Sequence, residues 1–208
     1  MEVKDIFKYV VEEIHTSIMA TTDEAGHPVT CAIDLMDCDD DSIYFLTATG
    51  KGFYKRLSRS PHIALTALKG TDTMHSVAVS VAGEVRELGP ELLPRLFEKN
   101  PYMYDIYPTE ESRGVLTVFQ IFRGQVEWFS LQTERIEKKN FAFGGEQVKG
   151  EKYKVEEGCI DCGACQNACP RACIRMDGGH AVIDPVTCIC CGNCKKICPV
   201  GAITAGEM

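Results

Sequence analysis

Eight of the twelve cysteines in this 208-residue chain fall into two copies of one pattern. The first is Cys159-x2-Cys162-x2-Cys165-x3-Cys169-Pro170, and the second is Cys188-x2-Cys191-x2-Cys194-x3-Cys198-Pro199. Every position of the second lies 29 residues after its counterpart. Soft thiolates at this spacing are the ligand set of a cubane [4Fe–4S] cluster, and the closing Cys-Pro of each run serves the other run's cluster. Cluster I is therefore assigned to Cys159, Cys162, Cys165 and Cys198, and cluster II to Cys188, Cys191, Cys194 and Cys169. The small residues Gly163, Ala164, Gly192 and Asn193 let backbone amides approach sulfur and stabilise a negatively charged cluster. The swapped fourth ligand ties the halves together, so about 50 residues can fold around metal with little apolar core.

The repeat extends past the ligands: Ile160 matches Ile189, Gly163 matches Gly192 and Ile174 matches Ile203. Met176 to Asp184 reads as a hairpin turning at Asp177-Gly178-Gly179. From about Gly158 to Ala205 the segment resembles the bacterial-type two-cluster ferredoxins. Zinc also binds paired Cys-x2-Cys units, but the third Cys and the Cys-Pro of each run exceed its four ligands. Disulfides fit poorly with so dense a run behind a charged, amphipathic N-terminus. Cys173 aligns with Ala202 and Cys190 with Asp161, so neither position is a ligand in the other copy. They read as small buried fillers, with a spare ligand during assembly as the functional alternative. Cys31 and Cys38 read as incidental thiols. So many reduced thiols point to the cytoplasm.

Charge narrows the partners. The formal net charge is −8. From Gly158 onward the acids Asp161, Asp177, Asp184 and Glu207 balance Arg171, Arg175, Lys195 and Lys196, so the excess sits in the N-terminal part. Two oxidised clusters, each about −2, deepen it. Such a surface repels nucleic acid and anionic membrane. No apolar stretch approaches the roughly 20 residues of a membrane span.

The cysteines need a scaffold, and the first 150 residues read as mainly β. Val3, Ile6, Phe7, Val10, Val11 and Ile14 form an amphipathic helical stripe. Strands are expected at Ser17–Thr21, Val29–Met36, Ser42–Thr47, Ile63–Leu68, Val77–Glu87, Val115–Phe122 and Gln125–Leu131, the last two joined through a tight Arg123-Gly124. Helices are expected at Phe53–Ser58 and Pro90–Lys99. Six or seven turn-bounded strands with few helices imply a closed antiparallel barrel. The acidic run Asp37, Asp39, Asp40 and Asp41 reads as a solvated hairpin tip. Gln132 to Glu157 reads as a charged connector, with Phe141 and Phe143 docking it and Gly144-Gly145 bending it.

Four motifs occur in order: Met19-Ala20-Thr21-Thr22-Asp23-x2-Gly26-x-Pro28; Ile43-Tyr44-Phe45-Leu46-Thr47-Ala48-Thr49-Gly50-Lys51; Leu57-x3-Pro61-x-Ile63-Ala64-Leu65; and Val118-Phe119-x3-Arg123-Gly124-Gln125-Val126-Glu127-Trp128-Phe129. Over Met1 to Leu131 this resembles the FMN-binding split barrel of the pyridoxamine 5′-phosphate oxidase-like family. The resemblance implies a mainly β, antiparallel, Greek-key split barrel at 1–131, a connector at 132–157 and a small α+β two-cluster ferredoxin-like domain at 158–208. It also implies bound FMN and a homodimer with two flavins between subunits. Thr47, Thr49, Gly50 and Lys51 leave a strand and enter a loop before a helix, where hydroxyls, amides and an ammonium suit a phosphate. Lys55 falls one turn later and is a second candidate; the family's commoner basic position is occupied by Phe53. Trp128 lies over a flavin, at the dimer interface or in the barrel wall. Of the five histidines, none is singled out as catalytic. Arg135 alone does not make the substrate-binding tail of a true pyridoxamine 5′-phosphate oxidase.

The expected function is an iron–sulfur flavoprotein oxidoreductase passing electrons between two [4Fe–4S] clusters and FMN, with the substrate and redox partner unspecified. The alternative is a non-enzymatic ferredoxin-type carrier whose barrel only dimerises or docks a partner. A redox or oxygen sensor is a third reading.

Overall fold

The computed structural model describes residues 1–132, 137–148, 152–185 and 187–206. Helix α1 (Val3–Lys8) runs into a π-helical stretch, Tyr9–Ile14, and buries Ile6, Phe7 and Val10. Strands β1 (Thr16–Thr22) and β2 (Pro28–Asp34) form a hairpin, followed by the two-residue β3 (Asp37–Cys38) and by β4 (Ile43–Ala48). Helix α2 (Gly52–Arg59) leads to β5 (His62–Lys69) and the long β6 (Val77–Gly89). Three short helices, α3 (Leu93–Lys99), α4 (Met103–Ile106) and α5 (Glu110–Arg113), precede β7 (Leu116–Ser130) and β8 (Glu137–Phe143).

These strands make one antiparallel sheet in the order β2-β1-β5-β6-β7-β4-β3, with β8 on the far half of β7. The expected closed barrel is a half-barrel instead. Among the described residues no ladder joins β2 to β3, because β3 is only two residues long and spends its pairing on β4. The alternation in β1 and β5 sends Met19, Ile63, Leu65 and Ala67 inward and leaves Ile18 and Leu68 exposed. Phe45 stacks on Phe119 with ring centroids 5.6 Å apart at the centre of this core. Residues 116–121 of β7 are buried on both faces: Phe119 and Ile121 point into the barrel core, and Leu116 and Val118 pack with Leu93, Leu96 and Phe97 of α3.

Three expectations are corrected. Arg123-Gly124 is not a turn between two strands; β7 runs straight through it, opposite Gly83 of β6. The backbones approach so closely there that a Cβ on Gly124 would lie 2.4 Å from the Ala82 carbonyl oxygen, and Gly124 has φ +155°. The pair lets two strands approach closely where a hairpin was expected. Glu137–Phe143, expected as part of a connector, forms a strand of the sheet. Strand β8 pairs along β7 and buries Phe143, which meets Phe7 edge-on at 5.0 Å. Asp37 is not at a solvated tip: it is 2% exposed and lies 2.5 Å from both Arg95 Nε and Lys99 Nζ of α3.

The cysteine-rich segment builds its own small core. Strand β9 (Lys152–Val155) pairs with β12 (Ile203–Gly206), and β10 (Ile174–Asp177) forms a hairpin with β11 (His180–Ile183) around Gly178-Gly179. One-turn helices α6 (Ala164–Asn167) and α7 (Asn193–Ile197) carry the third cysteine of each run. The 29-residue repeat reappears in the backbone: Asp161 and Cys190, Gly163 and Gly192, and Ala172 and Gly201 all have positive φ. Ile174 and Ile203 are both buried, as the repeat requires.

Candidate functional site

Each cysteine set lines its own cavity, and the two cavities are nearly equal in size. Cys159, Cys162, Cys165 and Cys198 surround one, closed by Ile160, Val155, Met176 and Ile203. Cys169, Cys188, Cys191 and Cys194 surround the other, closed by Ile174, Ile183, Ile189 and Tyr153. The structure thus brings together both cross-run sets, Cys198 with the first run and Cys169 with the second. Backbone amides point at sulfur: Ala202 N–H donates to Cys198 Sγ at 3.3 Å, and Cys190 N–H to Cys188 Sγ at 3.4 Å. Burial works against a Cys169 thiolate, but the amides of Cys173, Arg171 and Ala172 hold this thiol below its usual range. Burial pushes the Cys165 and Cys194 thiols up.

The fit to a cluster follows from this donor set. Among the described residues no three His, Cys, Asp or Glu side chains converge tightly enough to grip one ion. Four thiols around an apolar cavity, with amides aimed at the sulfurs, suit a larger group with widely spaced corners. The residues present therefore fit an iron–sulfur cluster better than a single zinc ion.

A second site lies on the barrel. Thr47, buried at the end of β4, and exposed Lys51 line a cleft of about 270 Å³ with Thr16, Asp34, Met36 and Tyr107. Thr49 and Gly50 stand exposed at the β4–α2 turn, outside the cleft lining. Two amides there are already used, Thr49 N–H by the Val115 carbonyl and Lys51 N–H by the Ala48 carbonyl. Lys55 is exposed on α2 and does not line the cleft. Phe53 faces inward, 6% exposed and 6.0 Å from the Phe45 ring, and anchors α2 to the core. The structure supplies a basic residue that the sequence reading missed: Arg56, one turn beyond Gly52, donates from Nε to Thr21 Oγ1 at 2.7 Å. Burial raises the Cys31 thiol, and the charges of Arg56 and Lys51 partly offset that rise, so both cations lie near it. Trp128 is 8% exposed in the barrel wall, edge-on to Tyr9 at 5.1 Å. Arg135 lies outside the described residues.

A cluster at the cleft rim was also missed. Tyr102 OH donates to Asp34 Oδ2 at 3.0 Å, Thr16 OH donates to Asp34 Oδ1 at 2.6 Å, and His15 Nε2 lies 2.8 Å from Tyr102 OH. Burial and the Asp34 contact push the Tyr102 phenol up. His15 ends the π-helical stretch at φ 66°, ψ −65°, a strained γ-turn conformation for a non-glycine residue. The only sequence signal was its place between a helical stripe and a strand. Tyr102 comes to it from 87 positions away.

The comparisons with known proteins agree with both parts. The family described as Pyridoxamine 5'-phosphate oxidase matches residues 3–132, and the 4Fe-4S dicluster domain matches residues 158–202. Among solved structures, a NimC/NimA family protein from Clostridium acetobutylicum is 15% identical with a TM-score of 0.55, covering 68% of this chain and 95% of that one. A protein from the same organism related to general stress protein 26 of B. subtilis is 18% identical, TM-score 0.50, covering 67% and 94%. PhzG from Burkholderia lata 383, in complex with tetrahydrophenazine-1-carboxylic acid, is 13% identical, TM-score 0.52, covering 70% and 83%. At these identities the likeness shows the fold alone. Compared with curated protein sequences, the chain has no match. From its N-terminal domain match the chain belongs to the pyridoxamine 5′-phosphate oxidase family, and a 4Fe–4S dicluster domain follows its split barrel.

Proposed function

We propose that this chain is an iron–sulfur flavoprotein oxidoreductase, with two [4Fe–4S] clusters in the cysteine cavities and FMN on the barrel. The observation that carries it is the pairing, in one chain, of two cavities, each lined by one cross-run set of four cysteines, with a family barrel whose cleft is lined by Thr47 and Lys51. Bound there, FMN would collect single electrons from the clusters for a two-electron reaction with a small molecule. Lys51, which lines the cleft with Thr47, would supply positive charge for its phosphate, supported by Arg56 on α2; Thr49, Gly50, Lys55 and Trp128 are kept as candidate contacts. The His15–Tyr102–Asp34 cluster lies where a proton donor to a bound substrate would be useful.

A homodimer belongs to the same reading. Across β2, β1, β5 and β6 the outward positions include the uncharged Ala32, Ile18, Thr66, Leu68, Ser80 and Ala82, with Asp34 and Glu84 at the ends of their strands' share of that face. Ile18 is 53% and Leu68 64% exposed. A second copy would cover these apolar side chains. Among the described residues no helix is long and apolar enough to cross a membrane. Thiolate-ligated clusters need a reducing compartment, which the cytoplasm provides.

The test is anaerobic purification of the full chain, with iron measured and flavin released by acid. The reading predicts about eight irons and about one FMN per chain. Iron at that level without flavin would leave the ferredoxin-type carrier standing. Two zinc ions and no iron would overturn both.

A further inference from the structure

The two cysteine sites differ by one thiol. Four thiols line the first cavity, but five line the second, the fifth being Cys173. Cys173 is 8% exposed, and its Sγ lies 3.4 Å from that of Cys169. Its thiol also contacts Cys188, another ligand of the same site. Its place is fixed from both sides: Asp184 N–H donates to the Cys173 carbonyl at 2.8 Å, and Ala172 N–H donates to the Cys169 carbonyl at 3.2 Å. At the equivalent position of the first site stands Ala202, whose amide touches Cys198 Sγ but whose side chain holds no donor. Cys190, the other surplus cysteine of the segment, is not among the residues lining either cavity.

We infer that Cys173 is a reserve ligand of the second cluster, able to replace Cys169, and that the first cluster has no such reserve. This rests on the two-cluster reading above. The exchange moves no electrons. Cys173 gives up its thiol proton and its sulfur bonds to the iron that Cys169 releases; the Cys169 thiolate takes up a proton. Cys169 is the site's ligand from the other run, so the reserve stands at the corner the local loop cannot fill. The arrangement makes the second cluster tolerant of loss of its swapped ligand and leaves the first vulnerable to the same loss.

The test compares Cys169→Ser with Cys198→Ser in the full chain, purified anaerobically, by iron content and the low-temperature EPR signal of three-iron clusters. The expected result is about eight irons and no three-iron signal for the intact chain and for C169S. C198S should lose iron and show a three-iron signal, and the double variant C169S/C173S should match it. Equal iron loss in C169S and C198S would overturn the inference. Iron well below eight in the intact chain would instead count against the two-cluster reading. If C169S does not fold, Cys173→Ala keeps all eight assigned ligands and decides the matter by iron release to a chelator. The intact chain should release iron in two phases and C173A in one fast phase. An unchanged time course would overturn the inference.

Discussion

At the residue scale, the proposed phosphate contacts are Lys51, which lines the cleft, and Arg56, which is held against Thr21. Each charge-assisted contact to an anion contributes about 1.5–3 kcal/mol, less where solvent reaches it as at Lys51. Lys51→Ala should therefore weaken FMN binding by about tenfold and Arg56→Ala by at least as much, read by quenching of FMN fluorescence on titration. Unchanged affinity in both variants would place the phosphate elsewhere. Cys38 offers a separate check. Burial, reinforced by the Asp37 charge, pushes its thiol from 9.0 up to about 11. The folded protein thus holds this proton while the unfolded chain begins to lose it near pH 9. Its stabilising contribution is complete below pH 9 and is lost as pH rises toward 11. Alkylation of Cys38 in the native chain should stay slow through pH 9 and rise toward pH 11, read by mass spectrometry of the modified peptide. The grouping of the eight repeated cysteines around two cavities was legible, because the 29-residue repeat pairs each run with the other's Cys-Pro, and Lys51 follows directly on β4. Arg56 and His15 were not, because their partners Thr21 and Tyr102 lie 35 and 87 positions away.

At the scale of elements, two features hold the barrel's shape. Gly124 and Gly83 let β7 cross β6 at close range, and an added methyl group at Gly124 would strike backbone rather than a yielding side chain. Gly124→Ala should cost more than about 3 kcal/mol in urea unfolding. Phe143 fixes β8 to α1 through Phe7. Phe143→Ala should cost about 3–5 kcal/mol by the same measurement, a buried ring being replaced by a void. The main strands up to β6 and the helices α1, α2 and α3 were legible from periodicity; the short β3, α4 and α5 were not. Strand β8 was not, because Glu137-Lys138-Lys139-Asn140 reads as solvated chain until its ladder with β7 is seen. The single long β7 was read as two strands because Gly124 carries the sequence signal of a turn, and in this fold the same residue serves a close approach to β6. Asp37 was misread for a similar reason: its cations Arg95 and Lys99 arrive from α3, some 60 positions on.

For the molecule as a whole, the proposed function makes the twin cysteine cavities the wiring and the barrel the destination of the electrons. Dimerisation across the sheet face that carries exposed Ile18 and Leu68 is part of the proposed account, so Ile18→Asp should shift the chain toward monomer in sedimentation. The most direct test of the central claim is stepwise anaerobic reduction of the full chain with a one-electron donor, following cluster and flavin absorbance together. The account predicts uptake of about four electrons per chain, one for each cluster and two for the flavin, with both absorbances bleaching in one connected titration. Bleaching of the clusters alone, with bound flavin left oxidised or with no flavin present, would contradict it.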